Sequence, residues 1–131
     1  MLWIELVTLL AVGQFFAMAA IVSKARGRLG VPAPATTGNA EFERHFRAHM
    51  NTLEMLVIFL PALWIAARHF APQWVALVGV LYLVGRHIYF YGYVKAANQR
   101  GLGYVLSAVP TAALLIAGAV GILRSWFANG P

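Results

Sequence analysis

Cysteine is absent from this 131-residue chain, and so is aspartate. Without cysteine there can be no disulfide framework, no thiolate metal site and no cysteine nucleophile, so any thiol chemistry here needs a sulfur brought by the substrate. Charge is scarce as well: charged residues make up 11% of the chain, where a soluble globular domain carries about a quarter. The shortage falls on the acids. Glu5, Glu41, Glu43 and Glu54 stand against ten Lys+Arg, for a net charge of +6. In a soluble protein that excess would point to nucleic acid. No basic run is interleaved with aromatics in a soluble segment, however, and cations at span ends that set orientation and touch anionic lipid account for it better.

What the chain has in abundance is apolar length. It is 61% hydrophobic, with a mean hydropathy of +0.72. This predicts an all-α membrane protein, a four-transmembrane-helix bundle of up-down topology in one domain over 1–131, with spans at about 2–23, 42–68, 73–99 and 104–124. The opening "MLWIELVTLL" lacks the basic stretch and small-residue cleavage site of a signal peptide and reads as the start of a retained span. "KARGRLGVPAPATTGNAEFER" reads as an extended, basic loop, and "RHFAPQ" and "RGLG" as short turns. Pro61 predicts a kink inside the second span, where neighbouring helices can cover the freed carbonyl. Trp3, Trp74, Trp126 and several tyrosines lie near span ends, as an aromatic belt would. Lys24, Arg26, Arg28, Arg44, Arg47, Lys95 and Arg100 gather on one side of the bundle against Arg68 and Arg124 on the other, which predicts both termini outside and the basic face in the cytosol.

Two stretches place polarity where lipid should begin. In "FERHFRAHMNTLE", Arg44, Arg47, Asn51 and Glu54 recur at helical spacing and share a face. In "GRHIYFYGYVKAANQR", Arg86, Tyr89, Tyr93 and Arg100 do the same, provided the helix continues to Arg100. A structural reading pairs Arg86 with Glu54 to hold the bundle, a contact whose disruption costs about 3–5 kcal/mol, and gives Arg44, Arg47 and Arg100 to lipid head groups. That reading does not require an Arg-Tyr-Tyr-Arg stripe to face an Arg-Asn-Glu stripe, and ionisable residues inside a membrane are a functional signal by default. Several arginines suit bidentate capture of carboxylates, Glu54 suits an ammonium, and the tyrosines suit neutral hydrogen bonds or a sulfur. The implied ligand is a small zwitterion with more than one carboxylate. His45, His49, His69 and His87 share no ligand spacing with the acids, so no metal site is predicted. Glu5 reads as snorkelling to the interface, and the glycines of "GAVG" as allowing close helix packing.

These two stretches, with "TTGNAEFER", resemble the MAPEG family, the membrane-associated proteins of eicosanoid and glutathione metabolism, in its microsomal glutathione transferase and leukotriene C synthase-like branch. The likeness runs collinearly from about residue 21 to residue 123. It implies a homotrimer of four-helix bundles that binds glutathione between neighbouring subunits near the cytosolic face. Position by position, it implies that Arg26, Arg47, Asn51, Glu54, Arg86, Tyr89 and Tyr93 contact glutathione and that Arg100 stabilises its thiolate. His49, Met55 and Gly27 depart from that branch, which has Gln, an aromatic and a second arginine there. The expected activity is conjugation of the glutathione thiolate to lipophilic electrophiles, with reduction of lipid hydroperoxides as a second activity, in a bacterial inner membrane. Competing readings are a non-enzymatic lipid-binding or scaffold member of the same family and a small multidrug transporter. The transporter would need a central acid in the first span, and Glu5 lies too near the terminus.

Overall fold

A chain in hydrocarbon must satisfy its backbone hydrogen bonds within itself, and each of the four apolar runs does so as a long helix. The computed structural model describes residues 1–130. Helices α1 (Leu2–Arg28), α2 (Ala40–His69), α3 (Pro72–Lys95) and α4 (Gly101–Asn129) follow one another, with a 3₁₀ turn at Ala97–Arg100 before α4. At 24 to 30 residues each, they run about 36–45 Å. That exceeds the roughly 30 Å of bilayer hydrocarbon, so their ends project into the head-group region. All four are long and apolar enough to cross a membrane.

The helices run up and down. The start of α1 meets the end of α2, where the Trp64 indole donates to Thr8 Oγ1 at 3.0 Å. The start of α4 meets the end of α3 at Gly103 and Tyr89. Two clusters fill the interior. Ile4, Val7, Phe59, Leu63, Tyr82 and Leu114 occupy one end and the centre, with the Phe59 and Tyr82 rings stacked 3.7 Å apart. Met18, Val22, Phe42, Tyr89 and Phe90 occupy the other end. The outer faces of Leu2, Phe16, Val57 and Ile116 are exposed and apolar, as lipid-facing surface should be. The tryptophans all fall toward one end of the bundle, at Trp3, Trp64, Trp74 and Trp126. The cations crowd the opposite end, together with Tyr89, Tyr91, Tyr93 and Tyr104.

The local structure at the basic end differs from the sequence expectation in three places. First, α1 runs to Arg28, so Lys24, Arg26 and Arg28 are helical rather than part of the loop; the helix stops short of Gly30, whose φ of +67° suits glycine. Second, α3 stops at Lys95. Ala96 is extended (φ −159°), and the Arg44 Nε donates to the Val94 carbonyl at 2.9 Å, taking over one acceptor that a continuing helix would have used. Third, "RGLG" is no turn: Arg100 is already in the right-handed helical region, Gly101 begins α4, and the reversal occupies 96–100. The second helix continues through Pro61 and the fourth through Pro110. The loop from 29 to 39 is tied down by Arg26, which donates to the carbonyls of Val31 and Ala35 and lies 4.5 Å from the centre of the Phe42 ring. Asn39 then caps α2 by accepting from the Glu41 and Phe42 amides.

Helices α3 and α4 touch backbone to backbone. A Cβ on Gly85 would sit 2.5 Å from the Leu106 carbonyl carbon, and one on Gly103 only 2.2 Å from the Tyr89 nitrogen. Small residues at such crossings are how membrane helices gain contact when water does not drive them together. Gly103→Ala should therefore destabilise the bundle by on the order of 1–3 kcal/mol, because backbone rather than a flexible side chain must move. Gly13→Ala, which faces open space, should be neutral or slightly stabilising. Thermal unfolding in detergent, followed by tryptophan fluorescence, compares the two; equal midpoints would mean that the helices have room to spare at Gly103.

Candidate functional site

Arg86 organises the basic end. It sits on α3 with 1% of its surface exposed, buried among three helices. Its Nη2 donates to Thr52 Oγ1 on α2 at 3.0 Å and its Nη1 to Ser107 Oγ on α4 at 3.2 Å. Both hydroxyls have already committed their protons. Thr52 donates to the Ala48 carbonyl at 2.8 Å and Ser107 to the Gly103 carbonyl at 2.9 Å. Each oxygen therefore turns lone pairs toward the guanidinium. The Tyr89 ring lies 3.9 Å from the guanidinium carbon, a cation–π contact worth up to about 2 kcal/mol when desolvated. The Arg86–Glu54 ion pair of the purely structural reading does not form. The one ion pair among the described residues joins Arg28 and Glu41 at the surface. Hydroxyls from α2 and α4 reach the guanidinium and fix its direction, and Glu54 is exposed on α2 without bonding it. The Arg86 Nε is buried without a partner. The buried cation thus keeps both its charge and one donor uncompensated by the protein, a state that costs several kcal/mol.

A groove of about 220 Å³ opens beside it, lined by Asn51, Glu54, Met55, Ile58, Arg86, Tyr89 and Tyr104. Four residues expected from the sequence meet here: Asn51, Glu54, Arg86 and Tyr89. Asn51 donates its amide to the Tyr89 hydroxyl at 2.7 Å, which locks the α2 and α3 stripes together. From Tyr89 the line continues through Tyr93, 5.7 Å away ring to ring, to Arg100, whose guanidinium carbon lies 5.3 Å from the Tyr93 ring centre. Arg100 therefore reaches the α3 stripe from the 3₁₀ turn rather than along a continuous helix. Arg47 is exposed on α2, one turn before Asn51.

Arg26 is elsewhere. It lines a separate open cavity of about 540 Å³ with Ser23, Gly27, Gly30, Val31 and Pro32. His49 also faces away from the groove, its ring stacked 4.3 Å from Phe15 of α1. The expected residues thus fall on two surfaces of one chain. No group of three or more His, Cys, Asp or Glu side chains converges among the described residues. The groove instead offers an uncompensated guanidinium, an amide, two phenols and a carboxylate, a set suited to a small polar ligand that carries negative charge.

Three contributors were not singled out from sequence. Thr52 lies inside the quoted stretch between Asn51 and Glu54, and Ser107 is one of the few hydroxyls, with Tyr104 and Thr111, in an otherwise apolar span. A hydroxyl in an apolar run one helix away from a buried arginine is a usable signal, but only once the helices have been paired. Tyr104 was grouped with the interfacial tyrosines, yet it lines the groove.

The chain resembles known proteins over nearly its whole length. The model of the MAPEG family matches residues 4–120. An uncharacterised protein of Synechocystis is 40% identical over 123 residues, which cover 94% of this chain and 90% of that one. Human microsomal glutathione S-transferase 2 is 42% identical over 120 residues, covering 92% of this chain and 82% of its own. Leukotriene C4 synthase of Bos taurus is 40% identical over 102 residues, covering 78% of this chain and 68% of its own. With a match across nearly the whole bundle, including both polar stripes, the chain belongs to the MAPEG family.

Proposed function

We propose that this chain is a membrane-bound glutathione transferase that joins the glutathione thiolate to lipophilic electrophiles. The observation that carries the reading is Arg86: a buried cation with no carboxylate partner, held by two hydroxyls at the wall of a groove that also presents Asn51, Glu54 and Tyr89. A ligand carboxylate would supply the missing counter-charge. Relatives named as glutathione S-transferase and as leukotriene C4 synthase support the substrate class.

In this reading Arg47 and Arg86 take the carboxylates, Glu54 takes the ammonium, and Asn51, Tyr89 and Tyr93 hold the peptide. Arg26 completes the site from a neighbouring copy, since it lies outside the groove of its own chain. A homotrimer supplies that neighbour. Arg100, beside Tyr93, stabilises the thiolate: a thiol of ordinary pKa, about 8.5, is mostly protonated at neutral pH, and a nearby cation raises the thiolate fraction. The protein contributes position and charge, and glutathione contributes the nucleophile. The same thiolate would reduce a lipid hydroperoxide. In this reading the cation-rich end faces the cytoplasm, with both termini outside, in a bacterial inner membrane; the excess of Lys and Arg at that end supports the orientation.

Arg100→Ala should lower the conjugation rate at least tenfold with chlorodinitrobenzene while glutathione still binds. A rate that grows with the thiolate fraction rises with pH through the pKa of the bound thiol and levels off above it. Losing Arg100 should therefore move that rise to higher pH, toward about 8.5. A pH–rate profile unchanged in position would remove Arg100 from thiolate stabilisation.

Arg86→Ala and Arg47→Ala should weaken glutathione binding, measured by calorimetry. Thr52→Val should do so more mildly and Thr52→Ser least, because serine keeps the oxygen that steers Arg86. Full affinity in Arg86→Ala would overturn the carboxylate role.

A further inference from the structure

Tyr104 stands in the groove without a part in glutathione binding. It follows Arg100 by four residues in continuous helical geometry, which puts it one turn deeper along α4 on the same side. It is 53% exposed, and its hydroxyl has no hydrogen-bond partner among the described residues. Its backbone is held firmly, because the adjacent Gly103 lies against the Tyr89 backbone. Beyond it the helix is apolar and exposed at Val105 and Val109, and Ile58 lines the groove from α2. Tyr104 thus marks the border between the polar groove and the lipid-facing surface.

The other donors of the groove are less accessible. Tyr89, 3% exposed, accepts from the Asn51 amide, and Arg86, 1% exposed, donates through Nη2 to Thr52 and through Nη1 to Ser107. Glu54 as a carboxylate only accepts. An electrophile arriving from the bilayer therefore meets first the exposed Tyr104 phenol, one turn from the arginine assigned to the thiolate.

We propose that Tyr104 is the general acid for electrophiles whose departing atom is oxygen, epoxides above all. The thiolate lone pair forms the new S–C bond while the C–O bond of the epoxide breaks. The electron pair stays on oxygen, and the oxygen takes the phenolic proton. The phenolate then regains a proton from water. A phenol, with a pKa of about 10, is a far stronger acid than the alcohol it produces, so the transfer runs downhill. General acid catalysis of this kind contributes about 10²–10⁴-fold. An aryl halide needs no such help, because chloride departs without a proton.

This inference rests on the transferase reading, and two probes separate them. The full chain and Tyr104→Phe, which keeps the ring and removes only the hydroxyl oxygen, are assayed with glutathione and either styrene oxide or chlorodinitrobenzene. Glutathione affinity is measured alongside. The expected result is that the ratio of kcat/KM for the epoxide to that for the halide falls at least tenfold in Tyr104→Phe, through kcat, with glutathione affinity within about twofold of the parent. A parent that conjugates the halide but opens no epoxide overturns the role of Tyr104 alone. So does a variant that loses both activities in step or keeps both. A parent inactive with both probes overturns the transferase reading itself.

Discussion

A guanidinium buried between three helices, with two hydroxyls and an aromatic ring for company, is the constraint from which the basic end of this bundle follows. Arg86 cannot reach water and meets no carboxylate. Its direction is nevertheless fixed, because Thr52 and Ser107 have spent their own protons on helix carbonyls and can only accept. Such an arrangement is costly, and a protein carboxylate in place of the two hydroxyls would relieve the cost at the expense of the site. What the chain keeps instead is an unpaired positive charge beside a groove.

That charge needs the helices close enough for hydroxyls on two of them to reach a residue on the third. The glycine contacts supply the closeness. Gly85 precedes Arg86 and lies against the backbone at Leu106 and Ser107; Gly103 lies against Tyr89 and is the residue whose carbonyl takes the Ser107 proton. The same crossing presents Tyr104 to the groove. Packing and chemistry are joined at this point, since the residues that let the backbones touch are the ones that aim the polar side chains. On the far side of the chain, Arg26 secures the loop that leads into α2 and lines a cavity of its own. The two polar surfaces do not meet within one chain, which supports the proposal that a neighbouring copy completes the site.

The four spans were legible because uninterrupted apolar length leaves few alternatives in lipid, and the paired stripes were legible because three- and four-residue spacing survives in any helix. The helix ends were not. Nothing in "VKAANQR" announces that Ala96 turns extended, since alanine, lysine and glutamine are all good helix formers. The break depends on Arg44, fifty residues earlier, bonding the Val94 carbonyl. The glycines of "RGLG" looked like turn residues for a sound local reason. The use of Gly103 in a helix crossing is tertiary and appears only against Tyr89, while Gly101 faces open space. The partners of Arg86 were hidden in the same way. Glu54 was the obvious countercharge by composition, whereas the actual partners are hydroxyls whose value depends on which helices adjoin.

If the uncompensated charge at Arg86 is met by a carboxylate of the ligand, removing the ligand's negative charges must weaken binding. Calorimetric titration of the purified protein with glutathione and with its dimethyl ester makes that comparison, because the ester keeps the peptide, the thiol and the ammonium and removes only the two negative charges. The ester should bind at least tenfold more weakly, about 1.4 kcal/mol or more; equal affinity for the two would leave Arg86 without a carboxylate to meet.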